Sequence, residues 1–344
     1  YLAILLYFSS NFMYSFSNYL STLIWTLILP ISFASINSLN KLKKLVNSIS
    51  LLALLYILNI LICTALGIKG KSYSGEIFQT GNVFTEGLNS MTYILLLTPL
   101  TIYFNPKYKR MILLIAVTIF ILVLIQFKRI SIISTGIGLI IMLLYSKNRG
   151  KVLYSLLIGA LLFLVSFPIF EESFNKQKKA RERRITTQNI EEEGRYQETF
   201  VVIDEIIFSS RLDRLLFGKE IFNSPGNYAN GKYGNRMIHS DYNAVLHGSG
   251  ILGMFLYLFW QITLFLFYKK IKPFAKSYFL DKNLFDVLNV LFINFLIIGF
   301  IMAISGGINA VLFNSIRVVI LGALLRIFYD AAKNQLLNKK KKIA

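Results

Sequence analysis

Apolar runs of membrane-spanning length dominate this chain and leave few folds open to it. They fall at 19–38, 47–66, 89–105, 111–127, 131–146, 152–170, 248–268, 284–304 and 311–329, and residues 1–16 form a partial tenth. A helix that crosses a bilayer needs about 20 mostly apolar residues. The runs are continuously apolar and do not alternate, which predicts helices and not barrel strands. Hydrophobic residues make up 55% of the 344, and a soluble fold could not bury 29 Phe among them without exposing large apolar patches. The expectation is an all-α polytopic membrane protein with about ten transmembrane helices.

The formal net charge of +20 would point to nucleic acid in a soluble chain. Here the position of the charges matters more. Lys41, Lys43 and Lys44 follow one apolar run, Lys107, Lys109 and Arg110 another, and Lys147, Arg149 and Lys151 a third. Lys269, Lys270, Lys272, Lys276 and Lys282 form a fourth cluster; Arg326, Lys333 and Lys339 to Lys342 lie toward the C-terminus. If the spans alternate, all of these share one side. Cytoplasmic loops collect Lys and Arg, so that side reads as cytoplasmic, the C-terminus with it, and no nucleic-acid partner is expected.

Three segments then face outward: 67–88, the Lys128–Arg129 junction and 171–247. The predicted organisation is an N-terminal bundle over 1–170, a large extracytoplasmic loop over 171–247, and C-terminal helices with a basic tail over 248–344. The loop holds 12 basic and 12 acidic residues, and long translocated loops escape the charge rule. A polar segment of this length is too long for a connector and points to function. Within it, Tyr196, Phe200, Ile203 and Ile207 recur at helical spacing, with Glu198, Asp204 and Glu205 between them. This predicts an amphipathic helix from Arg195 onward, lying against the membrane or the bundle, with Gly218 as its end. The chain opens at Tyr1 inside an apolar run, without Met or a basic stretch before it; it reads as a truncated start with no visible cleaved signal peptide.

Few residues are equipped for chemistry. Cys63 is the one cysteine, so no disulfide forms within the chain, and two histidines leave little material for a metal site. Walker-type, HExxH and GxSxG patterns are missing from the sequence, so any transferase activity must use an already activated donor. His239 stands just before the run at 248, at the outer face, and imidazole is the side chain best suited to take a proton near neutral pH. The alternative is an interfacial histidine with a hydrogen-bond partner and no chemistry. His247 lies nearer the lipid and reads as structural. Arg129 either snorkels to the headgroups or binds an anion, and an outward Lys128–Arg129 pair runs against the charge trend. Arg195 is either a solvated charge at a helix start or part of the same anion site. Arg317 lies inside the last span, where an arginine must pair or face a hydrated cavity; it is a candidate to line a substrate path, as are Lys128, Arg236 and Asp241. Arginines suit bidentate phosphate contacts, so a cluster at the outer face beside one histidine fits a lipid-linked phosphate or pyrophosphate. Buried carboxylates are scarce, with Asp286 the clear case, which lowers the weight of ion-coupled transport.

His239-Ser240-Asp241-Tyr242-Asn243-Ala244-Val245-Leu246, followed by Gly248-Ser249-Gly250-Ile251-Leu252-Gly253, resembles the signature of the O-antigen ligase and Wzy-type polymerase superfamily. Lys128-Arg129-Ile130-Ser131 resembles the family's Ser-Arg junction, Gly194-Arg195-Tyr196 its loop arginine, and Leu215-Leu216-Phe217-Gly218-Lys219 its Leu-Phe-Gly step. Gln79-Thr80-Gly81-Asn82 is a weaker echo. The matches cover roughly 79–260. The chain departs from the pattern at Lys128, where Ser is usual, at Ser240, where Asn is common, and at Lys219-Glu220, which replaces a Gly-x-Gly step. The resemblance implies a GT-C-like, all-helical fold in the bacterial inner membrane, with the active site facing the periplasm or exterior. It also implies glycan transfer from undecaprenyl pyrophosphate without metal, nucleotide or other cofactor. His239 would be the general base, and Arg129 and Arg195 would bind the pyrophosphate. Polymerisation of repeat units into O-antigen or capsule is the first reading, with a chain-length regulator and a flippase as implied partners. The alternatives are an O-antigen ligase acting on lipid A–core and a transporter or flippase for lipid-linked sugars.

Overall fold

The computed structural model describes residues 1–68, 87–125, 129–145, 194–231 and 237–343, with scattered positions from 150 to 179. The helices are α1 (Leu2–Tyr7), α2 (Phe12–Ser35), α3 (Leu39–Ala65), α4 (Gly87–Phe104), α5 (Lys109–Ile125) and α6 (Arg129–Tyr145). They continue as α7 (Gly194–Ile206), α8 (Leu212–Phe217), α9 (Asp241–Tyr278), α10 (Lys282–Ala303) and α11 (Val311–Ile343). Among the described residues there is no strand. Among the described residues, five helices, α2, α3, α9, α10 and α11, are long and apolar enough to cross a membrane. Shorter apolar helices cover Ser90–Phe104 and Ile130–Tyr145. The run at 152–170 and the segment 67–88 lie largely outside the described residues.

The helix ends follow local chemistry. Ser38 accepts from the Lys41 N–H at 3.3 Å and starts α3 eight residues before the apolar run. Asp281 accepts from the N–H groups of Asn283 and Leu284 and starts α10. Lys282 donates to the Lys276 and Phe279 carbonyls and so satisfies acceptors freed at the end of α9. Gly250, at φ +63, breaks α9 into a short first segment and a long second one. Exposed Ile251, Phe255, Phe259, Ile262 and Leu266 line the long segment. An apolar face of this size suits hydrocarbon as its solvent, not water.

The described chain forms two compact units. The first comprises Tyr1–Leu27, Arg183–Phe267 and Gly299–Asn314; the second comprises Ile28–Glu182, Tyr268–Ile298 and Ser315–Ala344. In the second, Tyr268, Phe292 and Phe328 stack and tilt together in a buried aromatic cluster with Phe279 and Phe285. Polar groups there are tied to backbone: Ser32 donates to Val319 O at 2.6 Å, and the Asn294 amide to Gly138 O at 3.2 Å. Such bonds hold helices together where water does not compete. The first unit carries His239, Glu198 and Gly306.

Candidate functional site

His239 lies in an irregular stretch, 237–240, immediately before α9. Nearly every residue of this stretch is tied down. The Ile238 N–H donates to the Ser224 hydroxyl at 3.0 Å. Asp241 accepts from the Ile308 N–H at 2.7 Å, and the Tyr242 hydroxyl donates to Phe300 O at 2.8 Å. Ile308 is held from its other side, since its carbonyl accepts from the Trp25 indole at 2.7 Å. The turn between α10 and α11 is therefore stitched to both α2 and the start of α9. Gly306 is the point of closest approach. It has φ +83, and a Cβ there would overlap the His239 carbonyl oxygen. Only glycine satisfies both demands.

Glu198 provides the contact with most chemical content. Its Oε1 accepts from the His239 N–H at 2.9 Å and from the Ser240 N–H at 3.4 Å, while Oε2 lies 3.3 Å from His239 Nδ1. The Glu198 side chain is 1% exposed and that of His239 is 33% exposed. Burial alone would push the Glu198 carboxyl up; the His239 ring, the His239 N–H and the Ser240 N–H outweigh it and hold the carboxyl below its ordinary value. The site is thus a buried carboxylate bonded to a partly exposed imidazole, with two backbone donors fixing the carboxylate.

The sequence pattern puts Glu198 on the polar face of the amphipathic helix, between the apolar residues. The structure turns that helix differently. Glu198, Val202 and Ile206 form the buried stripe, and Phe200 and Ile207 are exposed. Val202 and Ile206 pack with Tyr228, Ile238 and Leu246 in one buried cluster. Of the expected apolar face, Ile203 is partly buried against this cluster, Phe200 and Ile207 are exposed, and the Tyr196 side chain lies outside the described residues. The helix also ends earlier than expected. It stops at Ile206, and Gly218, at φ +80, ends the separate helix α8 instead.

Gly218 has a second task. A Cβ on it would lie 2.6 Å from His247 O and Ser249 N, and one on Gly250 would lie 2.5 Å from Leu216. The two backbones meet with no room for side chains, and the Lys219 N–H donates to His247 O at 2.7 Å across the junction. The Leu-Phe-Gly step and the Gly-Ser-Gly break in α9 are thus one packed unit. Next to it, Glu220 accepts at Oε1 from the hydroxyls of Ser9 and Ser10, the N–H groups of Ser10 and Asn11, and the Asn223 amide. Its Oε2 accepts from the Asn227 amide at 2.9 Å. Burial pushes the Glu220 carboxyl up, but these donors outweigh it and hold it below its ordinary value.

The remaining candidates are distributed as follows. Asp241 is buried, and its bond to Ile308 makes it a brace for the α10–α11 turn. Arg195 is the second residue of α7, one turn before Glu198 on the same helix. Arg129 begins α6 in the second unit. The side chains of Arg129 and Arg195 lie outside the described residues, as do Lys128 and Arg236 altogether. Arg317 is buried in α11, in the second unit. The structure thus brings His239 together with Glu198 and Gly306, neither of which the sequence singles out. Among the described residues, no group of three or more His, Cys, Asp or Glu side chains is placed to hold a metal. No family model matches the chain, and neither does any curated protein or solved structure.

Proposed function

We propose that the chain is a membrane glycosyltransferase that polymerises undecaprenyl-pyrophosphate-linked oligosaccharide units at the outer face of the bacterial inner membrane. The observation that carries this reading is the Glu198–His239 pair, an oriented imidazole partly open to its surroundings. The helix that supplies Glu198 begins with Gly194-Arg195. Support also comes from the resemblance of the His239, Arg129, Arg195 and Leu-Phe-Gly segments to the ligase and polymerase superfamily. In the proposed topology about ten spans and the outward loop 171–247 place His239 opposite the twenty basic residues of the cytoplasmic side.

In the reaction, His239 takes the proton of the acceptor sugar hydroxyl as that oxygen bonds to C1 of the donor glycan. The C1–O bond to pyrophosphate breaks, its electron pair leaves with undecaprenyl pyrophosphate, and attack from the opposite face inverts C1. Arg129 and Arg195 stabilise the charge that develops on the leaving group, where fixed guanidiniums are worth more than in water. A base contributes about 10²–10⁴-fold. Purified protein in nanodiscs, given undecaprenyl-pyrophosphate repeat units, is expected to make a ladder of lipid-linked multimers, and Arg129→Ala to abolish it. Product that appears only after lipid A–core is added identifies a ligase instead. No glycan transfer under either condition refutes the reading.

A further inference from the structure

We infer that Glu198 is the positioning residue that fixes the tautomer of His239, keeping the proton on Nδ1 and the basic lone pair on Nε2. The inference rests on the proposed transfer reaction for its purpose, though not for its geometry. A carboxylate only accepts hydrogen bonds. Its Oε1 is taken by the N–H groups of His239 and Ser240, so it cannot turn, and Oε2 is aimed at Nδ1 from 3.3 Å. One side chain therefore holds both the backbone and the ring of the same histidine.

The main chain around the ring is held as well. Gly306 abuts the His239 carbonyl, Ser224 holds the Ile238 N–H, and Asp241 is bonded to Ile308. With the main chain pinned on both sides, the buried carboxylate adds a direct contact to the ring itself. At 1% exposure Glu198 meets little water that could compete for its oxygens. When Nε2 receives the proton of the acceptor hydroxyl, the imidazolium that forms keeps its Nδ1–H bond to a full negative charge, a charge-assisted bond stronger than the neutral one. The carboxylate does not itself take the proton.

Glu198→Gln separates this role from a merely structural one. The backbone N–H groups still require an acceptor, so the Gln carbonyl takes the place of Oε1 and its NH₂ faces Nδ1. An amide donor there reverses the tautomer and puts the proton on Nε2, in nearly the same shape. A wrong-tautomer substitution of this kind in a Ser-His-Asp triad costs about 10⁴-fold in kcat. Glu198→Asp keeps a carboxylate acceptor facing the ring and with it the Nδ1–H tautomer.

The test is ¹⁵N NMR of ring-labelled histidine in nanodiscs, with the His239 signals assigned by their loss in His239→Ala. The expected result is Nδ1–H in the wild type and in Glu198→Asp, and Nε2–H in Glu198→Gln. An Nε2–H tautomer in the wild type, or an unchanged Nδ1–H in Glu198→Gln, overturns the inference. In the ladder assay, Glu198→Gln is expected to lose about 10²–10⁴-fold in kcat with KM little changed, and Glu198→Asp to recover part of it. Wild-type kcat in Glu198→Gln also overturns it. If the tautomers behave as expected while the wild type transfers no glycan, the proposed function fails and the assignment of Glu198 stands.

Discussion

Each of the chain's two histidines faces a glutamate of α7, and the two pairs are built in opposite senses. In the first, Glu198 is 1% exposed and His239 33%, with Oε2 and Nδ1 3.3 Å apart. In the second, Glu205 is 16% exposed and His247 1%, with Oε2 and Nε2 4.0 Å apart and no hydrogen bond. Glu205 also lies 3.8 Å from the Lys219 ammonium. A base must meet its substrate while its orienting acid stays dry; the first pair has that order and the second reverses it. His247, buried beside Tyr228 with its carbonyl tied to Lys219, serves the junction between the Leu-Phe-Gly step and α9. Two Glu–His pairs from one helix thus differ in which partner is left open.

Gly306→Ala should damage the first pair most and leave the second intact. The φ of +83 alone costs an alanine about 1–3 kcal/mol, and the Cβ would displace the His239 carbonyl. The expected outcome is a lower melting temperature in detergent and loss of glycan transfer. Full activity in this variant would show that the position of His239 does not matter.

Glu220→Ala tests the scaffold side. It strips acceptors from the Ser9–Asn11 turn and from two asparagine amides. Leaving such donors unmet costs about 1–3 kcal/mol. Stability should fall by that order, with transfer changed no more than a few-fold in the protein that remains folded. A loss of activity without a loss of stability would move Glu220 from the scaffold into the site.

Acid should weaken both regions more gently. Glu198 and Glu220 are held below the ordinary glutamate value when folded. Their contribution is fully present above that ordinary value and is lost as pH falls through the depressed ones. Thermal unfolding followed from pH 7 downward should therefore show stability declining below the ordinary glutamate range. In Glu198→Gln and Glu220→Gln the decline should be shallower. An identical slope in both variants and the wild type would contradict the electrostatic account.

The helical framework was largely legible in the sequence. The apolar runs at 47–66, 248–268, 284–304 and 311–329 each fall mainly within α3, α9, α10 and α11. Their ends were less legible, because Ser38 and Asp281 extend helices through polar residues that a hydropathy reading leaves out. His239 stood out by residue type and place. Glu198 did not, because its neighbour Phe200 reads as a core residue in water, whereas the structure leaves Phe200 exposed and buries the acid. Periodicity shows that a helix has an apolar side; it does not show which side meets protein when the other meets lipid. Gly306 had no local signal at all, since its demand is set by the carbonyl of a residue 67 positions earlier in the chain.

In the proposed reaction His239 is the base and His247 is not. The most direct measurement is the rate of ladder formation by His239→Ala and His247→Leu, purified and assayed side by side on undecaprenyl-pyrophosphate repeat units. A drop of about 10²–10⁴-fold in His239→Ala, with His247→Leu within a few-fold of wild type, is the predicted result. Chain extension at the wild-type rate by His239→Ala would contradict the account.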